Sequence, residues 1–147
     1  DKNPNVGSMH QSKKRTCPSG MTLLELTVVI LVILSLVSIL FVSARAWKRS
    51  SDRAENILNL RNIQQAVRGH ENLHGLTPGV SPLPSEQIFL SETNSFGYIN
   101  EPEPPGATGV TSYTYLNAVP HYGELYVTNL GAMNPEYVPG PSSYATW

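Results

Sequence analysis

Two groups of residues in this 147-residue chain could do chemistry. One is His70-Glu71-Asn72-Leu73-His74, which reads H-E-x-x-H. On a helix, histidines four positions apart point the same way and can share a zinc ion, with the intervening glutamate as general base of a small zinc hydrolase. Such a centre needs a third ligand and a cleft. Where the extended motif would continue, the chain has Thr77 and Val80, and Glu86 and Glu92 lie in a stretch with no helical pattern. The sequence therefore predicts no catalytic residue and no metal site, with His70 and His74 as bare candidates, solvated between Gly69 and Gly75. The other is a single carboxylate, Glu25, set in an otherwise uncharged apolar run.

That run extends from Met21 to Ala44, MTLLELTVVILVILSLVSILFVSA, 24 residues. At about 1.5 Å of rise per residue, a helix of this length spans roughly 36 Å, more than a hydrocarbon core of about 30 Å. It reads as a transmembrane helix. A secretory signal would place Lys13, Lys14 and Arg15 before an apolar region of only about 7 to 15 residues, shorter than this one. Charge does not fix the orientation. Lys2, Lys13, Lys14 and Arg15 precede the span, and Arg45, Lys48, Arg49 and Arg53 follow it, so the positive-inside rule sees equal numbers.

A carboxylate held in lipid costs several kcal/mol unless it is paired. The next cation along the helix is Arg45, 20 residues and roughly 30 Å away. Either Glu25 reaches interfacial water, or a positive charge comes from another molecule.

The string Gly20-Met21-Thr22-Leu23-Leu24-Glu25-Leu26-Thr27-Val28-Val29-Ile30, following a basic leader, resembles the type III signal of type IV pilins and type II secretion pseudopilins. The resemblance covers residues 13 to about 74 and is most specific over 20 to 30. It implies that a prepilin peptidase cuts between Gly20 and Met21 and methylates the new amine. This family usually begins its mature chain with Phe, where this sequence has Met21. Met9 would start a leader of typical length, with residues 1 to 8 as an upstream extension. Methylation keeps an amine positively charged, so the α-amino group of Met21 on one subunit can neutralise Glu25 on its neighbour and set the axial register of a filament. The resemblance implies a cytoplasmic leader, residues 1–20, and a head outside the inner membrane.

Beyond the transmembrane segment, 21–44, residues 45–74 read as an amphipathic continuation of the same helix. Ala54, Ile57, Leu58, Leu60, Ile63, Ala66 and Val67 fall near one face, expected to pack against the chain's own head. No proline intervenes between Pro18 and Pro78, so one helix is expected from about Thr22 to about Leu73, ended by Gly75 and Pro78. Where many pilins have a kinking proline, this sequence has Val42, and no such kink is expected.

Residues 75–147 hold ten prolines and eight glycines, a loop-rich composition. Val110–Leu116 and Glu124–Leu130 alternate like strands, and Asn117–Gly123 would close them into an antiparallel hairpin, with Gln87–Leu90 as a third edge. Packing on the helix would bury Tyr113, Tyr115, Leu125 and Val127. The expected fold is thus α+β, a long N-terminal helix against a small antiparallel sheet. Every Lys and Arg lies at or before Arg68, so residues 1 to 68 carry net +6 and residues 69 to 147 net -7. A head without bases is unsuited to nucleic acid. Some pseudopilins bind calcium, but Glu101-Pro102-Glu103-Pro104-Pro105 reads as a stiff solvated loop, and no cofactor is expected. Cys17 is the lone cysteine and allows no internal disulfide.

The leading expectation is a structural, non-enzymatic subunit of a type IV pilus-like or type II secretion pseudopilus filament. Its partners would be the prepilin peptidase, sister subunits, an inner-membrane assembly platform and membrane lipid. A monomeric signal-anchored envelope protein with a partner-binding head is the alternative, and the zinc hydrolase a second.

Overall fold

The structure is a computed structural model and describes residues 20–92 and 95–147. The basic leader and Cys17 lie outside the described residues. Two compact units divide the chain after Leu40. In the first, backbone without regular structure at Gly20–Thr22 leads into helix α1 (Leu23–His74), whose 52 residues run on into the second unit. Its apolar part is long and apolar enough to cross a membrane, and the side chains there are exposed, among them Leu23, Leu34 and Leu40. Among the described residues, nothing in the first unit buries them. With no proline in its 52 residues, α1 contains no proline kink.

The second unit is built around the last turns of α1. Leu60, Ile63 and Val67 are buried against Leu83, Ile88, Phe89, Tyr113, Val119, Tyr126 and Val127. The expected apolar face is thus largely the core face, although Leu58 and Ala54 are exposed. At its end, α1 closes with Gly75 at φ 62, and the Leu76 amide reaches back to the Glu71 carbonyl at 3.0 Å. This six-to-one bond with a left-handed glycine is a Schellman stop.

After the helix there is little regular structure. Strands β1 (Phe89–Leu90) and β2 (Ile99–Asn100) pair in parallel, and short 3₁₀ turns and the four-residue helix α2 (Pro141–Tyr144) complete the order. The α+β class holds, but the sheet is parallel, which corrects the expected antiparallel one. The segments expected as an antiparallel hairpin meet only at an isolated bridge, Tyr115 to Val127. Two ladder bonds form, from the Leu116 amide to the Tyr126 carbonyl (2.8 Å) and from the Thr128 amide to the Thr114 carbonyl (2.7 Å). The reciprocal amides go to side chains: Tyr126 N–H donates to Gln64 Oε1 (3.0 Å), and Thr114 N–H to Asn129 Oδ1 (3.2 Å). A ladder cannot propagate once its donors are used elsewhere. Gly97 lies so close to the β1 backbone that a Cβ would overlap the Phe89 carbonyl and the Leu90 nitrogen.

Helix side chains supply what the missing sheet would have. Besides receiving the Tyr126 amide, Gln64 donates Nε2 to the Glu124 carbonyl (3.1 Å), so its carboxamide acts as a short strand edge. Asn56 donates to the Tyr137 carbonyl (2.9 Å) and accepts from Tyr113 Oη (2.6 Å). Arg68 donates to the carbonyls of Pro120 (3.0 Å) and His121 (2.9 Å). Both carboxamides are essentially inaccessible to water.

Leaving a buried backbone group unpaired costs about 1 to 3 kcal/mol, so Gln64→Ala, which orphans the buried Tyr126 amide and the half-buried Glu124 carbonyl, should destabilise the second unit by roughly 2 to 4 kcal/mol. Urea unfolding of the detergent-solubilised chain, followed by tyrosine fluorescence, checks this. A loss below about 0.5 kcal/mol, the usual surface-substitution range, would contradict it.

Candidate functional site

The residues singled out by sequence fall into two places. Gly20 and Met21 are exposed in irregular backbone just ahead of α1, and among the described residues no atom lies near the position of an added Cβ at Gly20. Thr22 caps the helix, its Oγ1 accepting the Glu25 amide at 3.3 Å. Thr22-Leu23-Leu24-Glu25 has the T-x-x-E spacing of a capping box, a signal for the helix start that the reading of the sequence above did not use. Glu25 itself is in the first turn, where free amides and the helix dipole favour a carboxylate. That local field gives Glu25 some stabilisation, but typically less than about 1 kcal/mol at an exposed site. Such a field would offset only a small part of the several kcal/mol that a charge costs in lipid.

The second place is the end of α1. The rings of His70 and His74 stack with centroids 4.1 Å apart at 27°. His70 Nδ1 lies 3.1 Å from Tyr98 Oη, and His74 Nδ1 lies 3.1 Å from the His70 carbonyl oxygen. Together with Leu76, Gln87 and Tyr98 they line an open groove of about 620 Å³. Tyr98 was not foreseen, because it is 28 residues away in sequence and reaches the helix only through the β1–β2 pairing.

Glu71 does not share this groove's chemistry. Its Oε2 pairs with Arg68 Nη1 at 2.7 Å, and its Oε1 accepts from Tyr122 Oη at 3.3 Å. A general base must be free to take a proton from a metal-bound water, and this carboxylate is buried and tied to a cation. Among the described residues, no three His, Cys, Asp or Glu side chains come together as a metal would require. The pattern thus supplies two imidazoles, a sequestered carboxylate and no third ligand. Glu101 and Glu103 are likewise not gathered into a ligand set; Glu101 Oε1 accepts from Tyr115 Oη at 3.0 Å, and the Glu103 carbonyl from Asn59 at 3.1 Å.

Comparison of the chain with family models, curated proteins and solved structures found no match.

Desolvation, and then the neighbouring His74, push the His70 pKa below its ordinary value of 6.5. The folded state therefore takes up this proton less readily than the unfolded chain. Stability from His70 is complete above about pH 6.5 and falls as the pH drops below it, since the unfolded state then binds more protons. Melting temperatures of the wild type should decline across this acid range more steeply than those of His70→Gln. Parallel curves would contradict the assignment. Zinc in the purified chain, measured by plasma mass spectrometry, should be substoichiometric and equal in wild type and His74→Ala. Stoichiometric zinc lost on that substitution would restore the hydrolase reading.

Proposed function

We propose that this chain is a non-enzymatic structural subunit of a type IV pilus-like or type II secretion pseudopilus filament. Prepilin peptidase cleaves it between Gly20 and Met21, and its N-terminal helix assembles it with sister subunits on an inner-membrane platform. The observation that carries the reading is the sequence Gly20-Met21-Thr22-Leu23-Leu24-Glu25 at the start of a long apolar helix. An exposed cleavage point in irregular backbone supports it, because a peptidase needs extended, accessible chain. So does the exposed apolar side of α1, which must be covered by lipid or by other helices.

The physical logic runs from charge to register. A carboxylate in a low-dielectric bundle is tolerated once a cation with good geometry neutralises it. Proteolysis creates such a cation at Met21, one turn from Glu25. Between parallel copies, the amine of one and the carboxylate of the next meet at only one axial offset, so the pair specifies stagger as well as lowering the energy. In this reading the leader is cytoplasmic, residues 21–44 cross the inner membrane and the head lies outside it before the subunit enters the fibre.

Intact mass and N-terminal sequencing of the membrane-extracted protein should reveal a mature chain beginning with N-methylated Met21. A chain that keeps its leader in cells with an active prepilin peptidase would point instead to a signal-anchored monomer. Glu25→Ala should still be cleaved, while its incorporation into sheared filaments falls by at least ten-fold, as removal of an ion pair worth more than about 1.4 kcal/mol requires. Normal assembly of this variant would rule out the register role.

A further inference from the structure

Directly after the apolar run, α1 carries Arg45, Trp47, Lys48, Arg49 and Arg53, all exposed, with Trp47 at 77%. Lys48 pairs with Asp52 at 3.1 Å, and among the described residues no ion pair involves the three arginines. At about 100° per residue, Arg45, Arg49 and Arg53 share one side of the helix, Lys48 lies next to that side and Trp47 lies across from it. A protein docking on a helix approaches from one side. A layer of headgroups surrounds a helix that crosses it, and interface-seeking groups all round are what such a layer requires.

Dimensions agree with that layer. Arg45 to Arg49 covers roughly 6 Å of rise, and headgroup zones add about 5 to 7 Å on each side of the hydrocarbon core. Indole rings favour this depth, and long basic side chains can extend from it to phosphate. These bases are also unusual in where they lie: on the proposed topology they follow the span on its outer side, where lysine and arginine are ordinarily sparse.

We infer that Arg45, Trp47, Lys48 and Arg49 form a collar that binds the headgroups of anionic phospholipids at the outer face of the membrane. This rests on reading residues 21–44 as the membrane span. The arginines contact the phosphates while Trp47 anchors the helix at the level of the glycerol groups. The collar holds the subunit at a fixed depth before assembly.

The test uses the full chain with Trp147→Phe, so that emission comes from Trp47 alone, in mixed vesicles of phosphatidylcholine and phosphatidylglycerol. Either lipid is brominated in turn to quench the indole. Brominated phosphatidylglycerol should quench more strongly than brominated phosphatidylcholine, and the difference should shrink in high salt. Each base removed should lower the preference by up to about five-fold, given roughly 1 kcal/mol per base near an anionic surface. The triple change Arg45→Gln, Lys48→Gln, Arg49→Gln should abolish it. Equal quenching by the two lipids in a chain that stays with the vesicles at alkaline pH would overturn the collar while leaving the span intact. Release of the chain by alkaline washing would overturn the span itself. Association of copies in detergent that the triple change disrupts, without any lipid preference, would assign the collar to the acidic head of a second copy and overturn the proposal.

Discussion

The second unit depends on the satisfaction of backbone polar groups without a sheet to satisfy them. A segment with so many prolines and glycines cannot form long ladders, yet its interior carbonyls and amides still need partners. Asn56, Gln64 and Arg68, eight and four residues apart on one side of α1, provide them at Tyr137, at Glu124 and Tyr126, and at Pro120 and His121. The helix thus acts both as hydrophobic floor and as hydrogen-bonding edge. Apolar contacts from Leu60, Ile63 and Val67 supply most of the driving force, and the carboxamides decide which arrangement of the loops is compatible with it.

The aromatic residues follow from the same constraint. Tyr126 is fully buried, donates its hydroxyl to the Leu83 carbonyl at 2.7 Å and stacks on Tyr115 at 5.6 Å. Burial pushes its phenol up to about 12, and burial likewise raises Tyr113 and Tyr115. These rings fill volume that paired strands would otherwise occupy, while the Tyr126 hydroxyl serves loop backbone and those of Tyr113 and Tyr115 donate to the side chains of Asn56 and Glu101.

Long-period features were legible in the sequence. The apolar run, the absence of proline and the Gly75 stop gave α1 to within a residue at each end, because a helix is specified by local periodicity. Tyr113, Leu125 and Val127 were recognisable as core. Strand pairing was less so. Val110–Leu116 and Glu124–Leu130 alternate as strands should, but the donors that would extend their pairing are taken by Gln64 and Asn129, a competition that neither segment reveals. Asn56 and Gln64 themselves look like solvent-facing positions in an amphipathic pattern. For the candidate site, the H-E-x-x-H spacing correctly brings His70 and His74 together, since i and i+4 share a face, but it does not reveal that Arg68 and Tyr122 hold Glu71.

The N-terminal half of α1 presents the opposite problem. Over residues 23–44 the backbone is satisfied internally, and among the described residues what has no ion-pair partner there is a single charge, Glu25, together with a surface of exposed leucine, isoleucine and valine. On the proposed function, a filament of parallel copies would meet both needs at once, with neighbouring helices covering the apolar surface and the Met21 amine balancing the acid. The most direct measurement is magic-angle-spinning NMR on filaments co-assembled from two preparations, one ¹⁵N-labelled at methionine and the other ¹³C-labelled at glutamate. A correlation between the terminal amine of one copy and the Glu25 carboxylate of another, at the separation of an ion pair, about 4 Å or less, is the predicted result. Well-ordered filaments in which that amine and carboxylate show no contact between copies would contradict the account.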